Sequence, residues 1–198
     1  MSQPSFVAVD WGTTDFRLWV MDDGGQILNN TQGPFGMSRL KPDDFGRVLE
    51  ESLNKLGVDD EVPVVICGMA GAAQGWYEAP YLTAPTKLET LGQQAVVVPK
   101  TRRCIRILPG VKQMNPANVM RGEETQIAGL LHQSPNFGGT VCLPGTHTKW
   151  VRIADRAITS FETCMTGEQF GFFSKSSVLS HSMTLDGWSD SAFSEAVG

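Results

Sequence analysis

Asp10, Gly12, Thr13 and Thr14 stand at the joint between two apolar strands, Phe6-Val-Ala-Val-Asp10 and Phe16-Arg17-Leu-Trp-Val20, a combination that can clamp a phosphate. Glycine lets the backbone approach an anion, turn amides and threonine hydroxyls donate to its oxygens, and a strand-end carboxylate can hold magnesium through water. A glycine turn is also ordinary hairpin chemistry, so the reading gains weight from a second such element. Thr140-Val-Cys-Leu-Pro144 runs into Gly145, Thr146, His147, Thr148 and Lys149 and then Trp-Val-Arg-Ile153, again a strand, a Gly-Thr turn and a strand. The first turn would hold one phosphate through Gly12, Thr13 and Thr14. The second would hold another through Gly145, Thr146 and Thr148, with charge from Lys149 and a hydrogen bond from His147. A lysine on a strand edge is equally suited to solvent.

Between the turns lies Gly122-Glu123-Glu124, two carboxylates at the start of an amphipathic stretch. Either could accept the proton of a substrate hydroxyl, and either could instead complement the dipole and cap free amides of a helix. Gln74, Trp76 and Glu78 sit in an irregular segment and suit a polyol, the amide and carboxylate meeting hydroxyls and the indole covering carbon. Trp76 could instead anchor its loop. Arg17, Arg102 and Arg121 are candidates for a bidentate grip on a substrate carboxylate, Arg121 first because it adjoins Glu123. No Gly-x-x-x-x-Gly-Lys-Ser/Thr, His-Glu-x-x-His or Gly-x-Ser-x-Gly string occurs, so those chemistries have no local signature.

The elements that must position these residues can be read from hydrophobic period and turn residues. Strands are expected at 6–10, 16–21 and about 26–32, a meander, followed by a helix that starts at Pro42-Asp43-Asp44 and carries Phe45, Val48, Leu49, Leu53 and Leu56 at helical spacing. Val62–Cys67 reads as a doubly covered strand. Residues 68–99 read as a loop-rich insertion, with strands at about 95–98 and 104–108 and a helix from Met120 to Leu131. Pro135-Asn-Phe-Gly-Gly139 is the expected boundary between a unit at 1–135 and another at 136–198. The second unit repeats the order of strand, strand, strand and helix, the helix following Thr166-Gly-Glu168 and carrying Phe170, Phe172 and Phe173.

The 198 residues are 41% hydrophobic and 19% charged with a formal net charge of -5, an ordinary globular balance that gives no reason to expect nucleic acid or an anionic membrane as partner. Met1-Ser-Gln-Pro leads directly into a strand without a basic and apolar leader, which points to a cytoplasmic protein. Cys67, Cys104, Cys142 and Cys164 are far apart in apolar contexts and are expected to be buried reduced thiols. A homodimer is compatible with all of this.

The paired turns resemble the two phosphate motifs of the sugar kinase, heat-shock chaperone and actin superfamily. That resemblance implies an α/β chain with a ribonuclease H-like (actin-like ATPase) fold, one complete N-terminal domain and the start of a second similar one. The match departs at Pro144, where the superfamily usually has an aspartate, leaving Asp10 as the one motif carboxylate for the metal. Longer strings narrow the resemblance: Cys67-Gly-Met-Ala-Gly71, Gln74-Gly-Trp-Tyr-Glu-Ala-Pro-Tyr81, Val119-Met-Arg-Gly-Glu-Glu-Thr-Gln126, Leu143-Pro-Gly-Thr-His-Thr-Lys-Trp-Val151 and Met165-Thr-Gly-Glu168. These are similar to the 2-dehydro-3-deoxygalactonokinase family, over about residues 5 to 180.

The family implies transfer of a phosphoryl group from ATP, with Mg2+, to the 6-hydroxyl of a small sugar acid, 2-dehydro-3-deoxy-D-galactonate. By placement, Glu123 resembles the catalytic aspartate that follows a glycine in related kinases, with Glu124 the close alternative. Asp10 would serve catalysis through the metal. Family members are longer, and the further part would complete the second domain and carry the adenosine pocket. Two other readings use the same turns: another actin-like phosphotransferase or phosphatase, and a non-catalytic nucleotide-binding fragment.

Overall fold

The computed structural model describes residues 2–183 and 187–198. Strands β1 (Phe6–Trp11), β2 (Phe16–Met21) and β3 (Ile27–Gly33) form the expected antiparallel meander. Period-two alternation puts Val7, Val9 and Trp11 of β1 and Phe16, Leu18 and Val20 of β2 on one buried face. Helix α1 (Asp44–Lys55) covers that face with Phe45, Val48, Leu49 and Leu53. Gly57, at φ 66°, follows its end, as the glycine stop signal predicts.

β4 (Val64–Gly68) pairs parallel to β1. The irregular segment after it contains β5 (Tyr81–Thr83), β6 (Thr86–Lys87) and the short edge strand β7 (Val96–Val97). β8 (Ile105–Ile107) returns parallel to β4. The sheet order is β3-β2-β1-β4-β8-β7, with β2 antiparallel to both its neighbours. That is the ribonuclease H-like core expected from the order of elements, in an α/β chain.

β9 (Gly110–Met114) and β10 (Ala117–Met120) form a hairpin that β5 extends into a three-stranded sheet. Helix α2 (Glu123–Gln133) follows. β11 (Gly139–Leu143), β12 (Thr148–Ala154) and β13 (Ala157–Cys164) then repeat the meander, with β6 added beside β13. Helices α3 (Thr166–Ser176) and α4 (Asp190–Val197) complete the described elements. A second core joins Val111, Met120, Ile127 and Leu131 to Val151, Ile153, Ile158 and Phe161.

Three expectations are corrected. Met120 ends β10 rather than opening a helix, because Gly122 takes φ 112° and α2 begins only at Glu123. The β9–β10 hairpin was not expected, since Asn115-Pro116 interrupts an apolar stretch too short to show a period. The cysteines are not buried as a set: Cys104, Cys142 and Cys164 are exposed and Cys67 is partly covered, all four unpaired. Cys142 and Cys164 fall on outward positions of the β11 and β13 alternation, which an apolar context alone does not reveal. No helix among the described residues is long and apolar enough to cross a membrane.

Candidate active site

Each Gly-Thr turn is held from behind, by its carbonyl oxygens. In the first, Gly12, Thr13 and Thr14 accept from the amides of Met37 (3.0 Å), Ser38 (2.9 Å) and Gly36 (3.1 Å). A Cβ on Gly36 would lie 2.2 Å from the Thr14 carbonyl carbon and 2.4 Å from the Thr13 oxygen, so only glycine fits there. In the second, the Thr146 oxygen accepts from the Glu168 amide at 3.1 Å, and a Cβ on Gly167 would lie 2.6 Å from the Gly145 oxygen. His147 Nε2 meets Glu168 Oε2 at 2.5 Å.

The amides of Thr13, Thr14 and Asp15, and those of Gly145, Thr146 and His147, have no backbone acceptor among the described residues. Carbonyls tied back and amides left over make a turn a donor surface for an anion.

The two turns face one cleft of about 370 Å³. Asp10, Gly12, Thr13 and Arg17 line it from the first hairpin, and Gly145, Thr146, His147 and Lys149 from the second. Glu123 and Arg121 form a third wall with Gln126 and Tyr81. A second recess of about 720 Å³ shares both turns and adds Thr14 and Asp15.

The charges are set against one another. Arg17 Nη2 lies 2.6 Å from Asp10 Oδ2; burial raises the Asp10 carboxyl above the usual range and Arg17 opposes that rise. Glu123 Oε2 accepts from the Arg121 amide at 3.0 Å; burial raises this carboxyl too, with Lys149 among the opposing influences. Lys149 Nζ donates to the Val119 carbonyl and to Thr163 Oγ1, each at 2.8 Å. Desolvation lowers its pKa while Glu123 pulls it back up.

The neighbouring glutamates part company. Both oxygens of Glu124 accept from the Gly122 amide, at 2.8 and 2.9 Å, and the side chain is fully buried. Burial pushes its carboxyl up to about 7. Glu123, not Glu124, is the one that lines the cleft.

Asp10 could hold a hard cation. Among the described residues no group of three or more histidines, cysteines, aspartates or glutamates could do so unaided. One carboxylate completed by phosphate oxygens and water is how magnesium is commonly held beside a nucleotide, and Asp10 beside two turns with free amides fits that pattern.

Other sequence candidates lie elsewhere. Thr148 is buried on β12 outside the cleft lining, and Gln74 and Glu78 are exposed outside it. Trp76 packs on the core, stacked at 20° with Phe45 and 6.3 Å from Trp11. Arg102 pairs with Asp60 at 2.8 Å and Glu50 at 3.7 Å. Among the lining residues not singled out as site candidates from the sequence are two with polar side chains. Gln126 is one helical turn beyond Glu123, a spacing that places both on one face, whereas Tyr81 gave no local signal beyond following Pro80.

Comparison with known proteins decides the family. The model of the 2-keto-3-deoxy-galactonokinase family matches residues 10–198. The chain belongs to that kinase family. It is 41% identical over 180 residues to a Rhizobium meliloti (strain 1021) protein named "Probable 2-dehydro-3-deoxygalactonokinase", covering 90% of this chain and 59% of that one. It is 38% identical over 165 residues to the 2-dehydro-3-deoxygalactonokinase of Escherichia coli (strain K12), covering 82% and 54% respectively. A Sinorhizobium meliloti crystal structure described as a proposed member of the same family matches with a TM-score of 0.86 at 40% identity, over 92% of this chain and 60% of that one. The chain thus spans somewhat more than half the length of the curated family members it matches.

Proposed function

We propose that this chain carries the phosphate turns and the substrate cleft of an ATP-dependent kinase that phosphorylates the 6-hydroxyl of 2-dehydro-3-deoxy-D-galactonate in the cytoplasm. The observation that carries the reading is Glu123 opening into a cleft that both turns line together with Asp10 and Lys149.

In phosphoryl transfer the enzyme mainly positions groups and offsets charge. The free amides of Thr13 and Thr14 and of Gly145 and Thr146 would receive phosphate oxygens. Asp10 would hold magnesium, which neutralises charge on the transferring phosphate. Lys149, already anchored by Val119 and Thr163, would add a fixed cation near the second turn.

Glu123 would take the proton from the attacking hydroxyl. Burial strengthens it as a base, because a carboxylate with a raised pKa holds a proton more firmly, while backbone hydrogen bonds and the Lys149 charge oppose that rise. Glu124 is excluded from this role in the proposal by its burial beneath Gly122. Arg17 would release Asp10 to the metal and turn to phosphate or substrate, since both cavities reach it.

The test is ATP-dependent phosphorylation of the sugar acid by this chain and by a family-length version, each with Glu123→Gln and Glu124→Gln. Glu123→Gln should lower turnover about a thousandfold, the usual scale for losing a general base, while Glu124→Gln retains most of it. Equal loss in both variants would refute Glu123 as the base, and free phosphate as the only product would refute the kinase.

A further inference from the structure

Tyr81 lines the cleft beside Arg121 and Glu123, and its surroundings are built around it. Its ring lies against Gly110, where a Cβ would come within 2.7 Å of Tyr81 Cε1 and 2.6 Å of the Met120 oxygen, so glycine is what lets the ring settle there. On the ring sits the Arg121 guanidinium, its carbon 4.1 Å from the centroid, an attractive cation–π arrangement. Arg121 Nε donates to the Tyr81 hydroxyl oxygen at 3.3 Å and Nη2 to the Ala79 carbonyl at 2.9 Å.

Two polar groups in this assembly are unanswered. Arg121 is only 9% exposed, its Nη1 is buried without a hydrogen-bond partner, and among the described residues it is in no ion pair. Arg121 acts on the Glu124 carboxyl only through space, and a buried guanidinium nitrogen with no hydrogen-bond partner is costly, which favours an anion arriving nearby. The Tyr81 hydroxyl accepts from Arg121 and donates to no group among the described residues. Its proton is left for a ligand in the cleft.

We infer that Tyr81 determines specificity for the carboxylate of the sugar acid: its hydroxyl donates to that carboxylate, and Arg121 beneath the ring is a positioning residue that fixes the phenol and supplies positive potential. The inference rests on the kinase reading above. It also gives Arg121 a different part from a direct clamp, because Nη2 is taken by Ala79 and a Cβ on Gly71 would lie 2.9 Å from Nη1, which places that nitrogen against the protein interior.

The experiment measures binding and phosphorylation of 2-dehydro-3-deoxy-D-galactonate and of its uncharged primary amide, with a non-hydrolysable ATP analogue as control, for the family-length protein, Tyr81→Phe and Arg121→Lys. Tyr81→Phe removes one oxygen and keeps the ring. It should raise the KM for the acid about tenfold or more, the scale of a hydrogen bond to a charged group, with kcat and analogue binding little changed and the preference for acid over amide largely gone. Arg121→Lys should reduce that preference several-fold while leaving affinity for the amide unchanged. An acid-over-amide preference unaltered in Tyr81→Phe overturns the assignment. If the unsubstituted protein binds the analogue yet neither binds nor phosphorylates the acid, the kinase reading falls and this inference with it; if it phosphorylates the acid and only the Tyr81→Phe result disagrees, this inference alone falls.

Discussion

The two Gly-Thr turns share one plan, three antiparallel strands with a glycine packed on the turn and a helix behind it, but they are stiffened differently. Behind the first turn, α1 buries Phe45, Val48, Leu49 and Leu53 in the main core. Behind the second, α3 buries only Ser174 and leaves Phe170, Phe172 and Phe173 exposed by 57%, 56% and 43%. Within this chain, which spans only part of the length of its relatives, the first turn is held by a packed core and the second chiefly by Gly167 on Gly145 and His147 on Glu168. Their chemistry differs in the same pairwise way. The first presents a carboxylate, Asp10, and the second has Pro144 before its glycine and a lysine after it, so an acidic group stands at one turn and a basic group at the other.

The sharpest way to break this comparison is to crowd both glycines. Gly36→Ala should cost roughly 3 kcal/mol, at the upper end for overpacking, because the new methyl meets backbone atoms fixed on a core. Gly167→Ala should cost roughly 1 kcal/mol, since α3 has few buried contacts to lose as it moves, and should show itself more in weakened nucleotide binding. Urea unfolding of both variants measures the difference. Equal losses would mean that the second turn is as firmly embedded as the first.

A second contrast separates the charges. Asp10→Asn should lower turnover about a hundredfold, the scale of removing one preorganised electrostatic group, and raise the magnesium concentration needed for half-maximal rate. Lys149→Met should weaken nucleotide binding about tenfold, as loss of a charge-assisted contact, without altering the magnesium requirement. A magnesium titration that moves in both variants, or in neither, would dissolve the division of labour between the turns.

Much of this pairing was readable from the chain. Both turns, the meanders beneath them and the helix at Glu123 follow from short-range signals: alternation in Phe6–Trp11, a Gly-Thr turn, and carboxylates at a helix start. What was not readable depends on contacts between distant segments. Gly36 looks like any loop glycine until Thr13 and Thr14 are found against it, and Tyr81 acquires its place only when β5 pairs with β9 and brings Gly110 and Arg121 to its ring. Trp76 shows the converse. Its sequence context suits sugar stacking, yet packing with Phe45 and Trp11 places it on the core. Arg102 likewise reads in sequence as a candidate for a substrate carboxylate, whereas it pairs with Asp60 and Glu50.

The smallest expected effect concerns the helix starts behind the cleft. α3 begins with Glu168 exposed and paired to His147, but α2 begins with Glu124 buried, its carboxyl pushed up to about 7 against an ordinary 4.5. The folded chain therefore binds a proton at Glu124 more firmly than the unfolded chain does. Stability from this group is fully present below about pH 4.5, falls as the pH rises towards 7 and is flat above it. Glu123 and Asp10, both raised by burial, tilt the same way. Glutamine at position 124 can still accept from the Gly122 amide and never ionises. Glu124→Gln should thus leave thermal stability at pH 5 nearly unchanged and raise it at pH 8, by on the order of 2 kcal/mol, flattening the profile between. A lower Tm at pH 8 would show instead that the ionised carboxylate, answered by Gly122 and the nearby Arg121 charge, is what secures the start of α2.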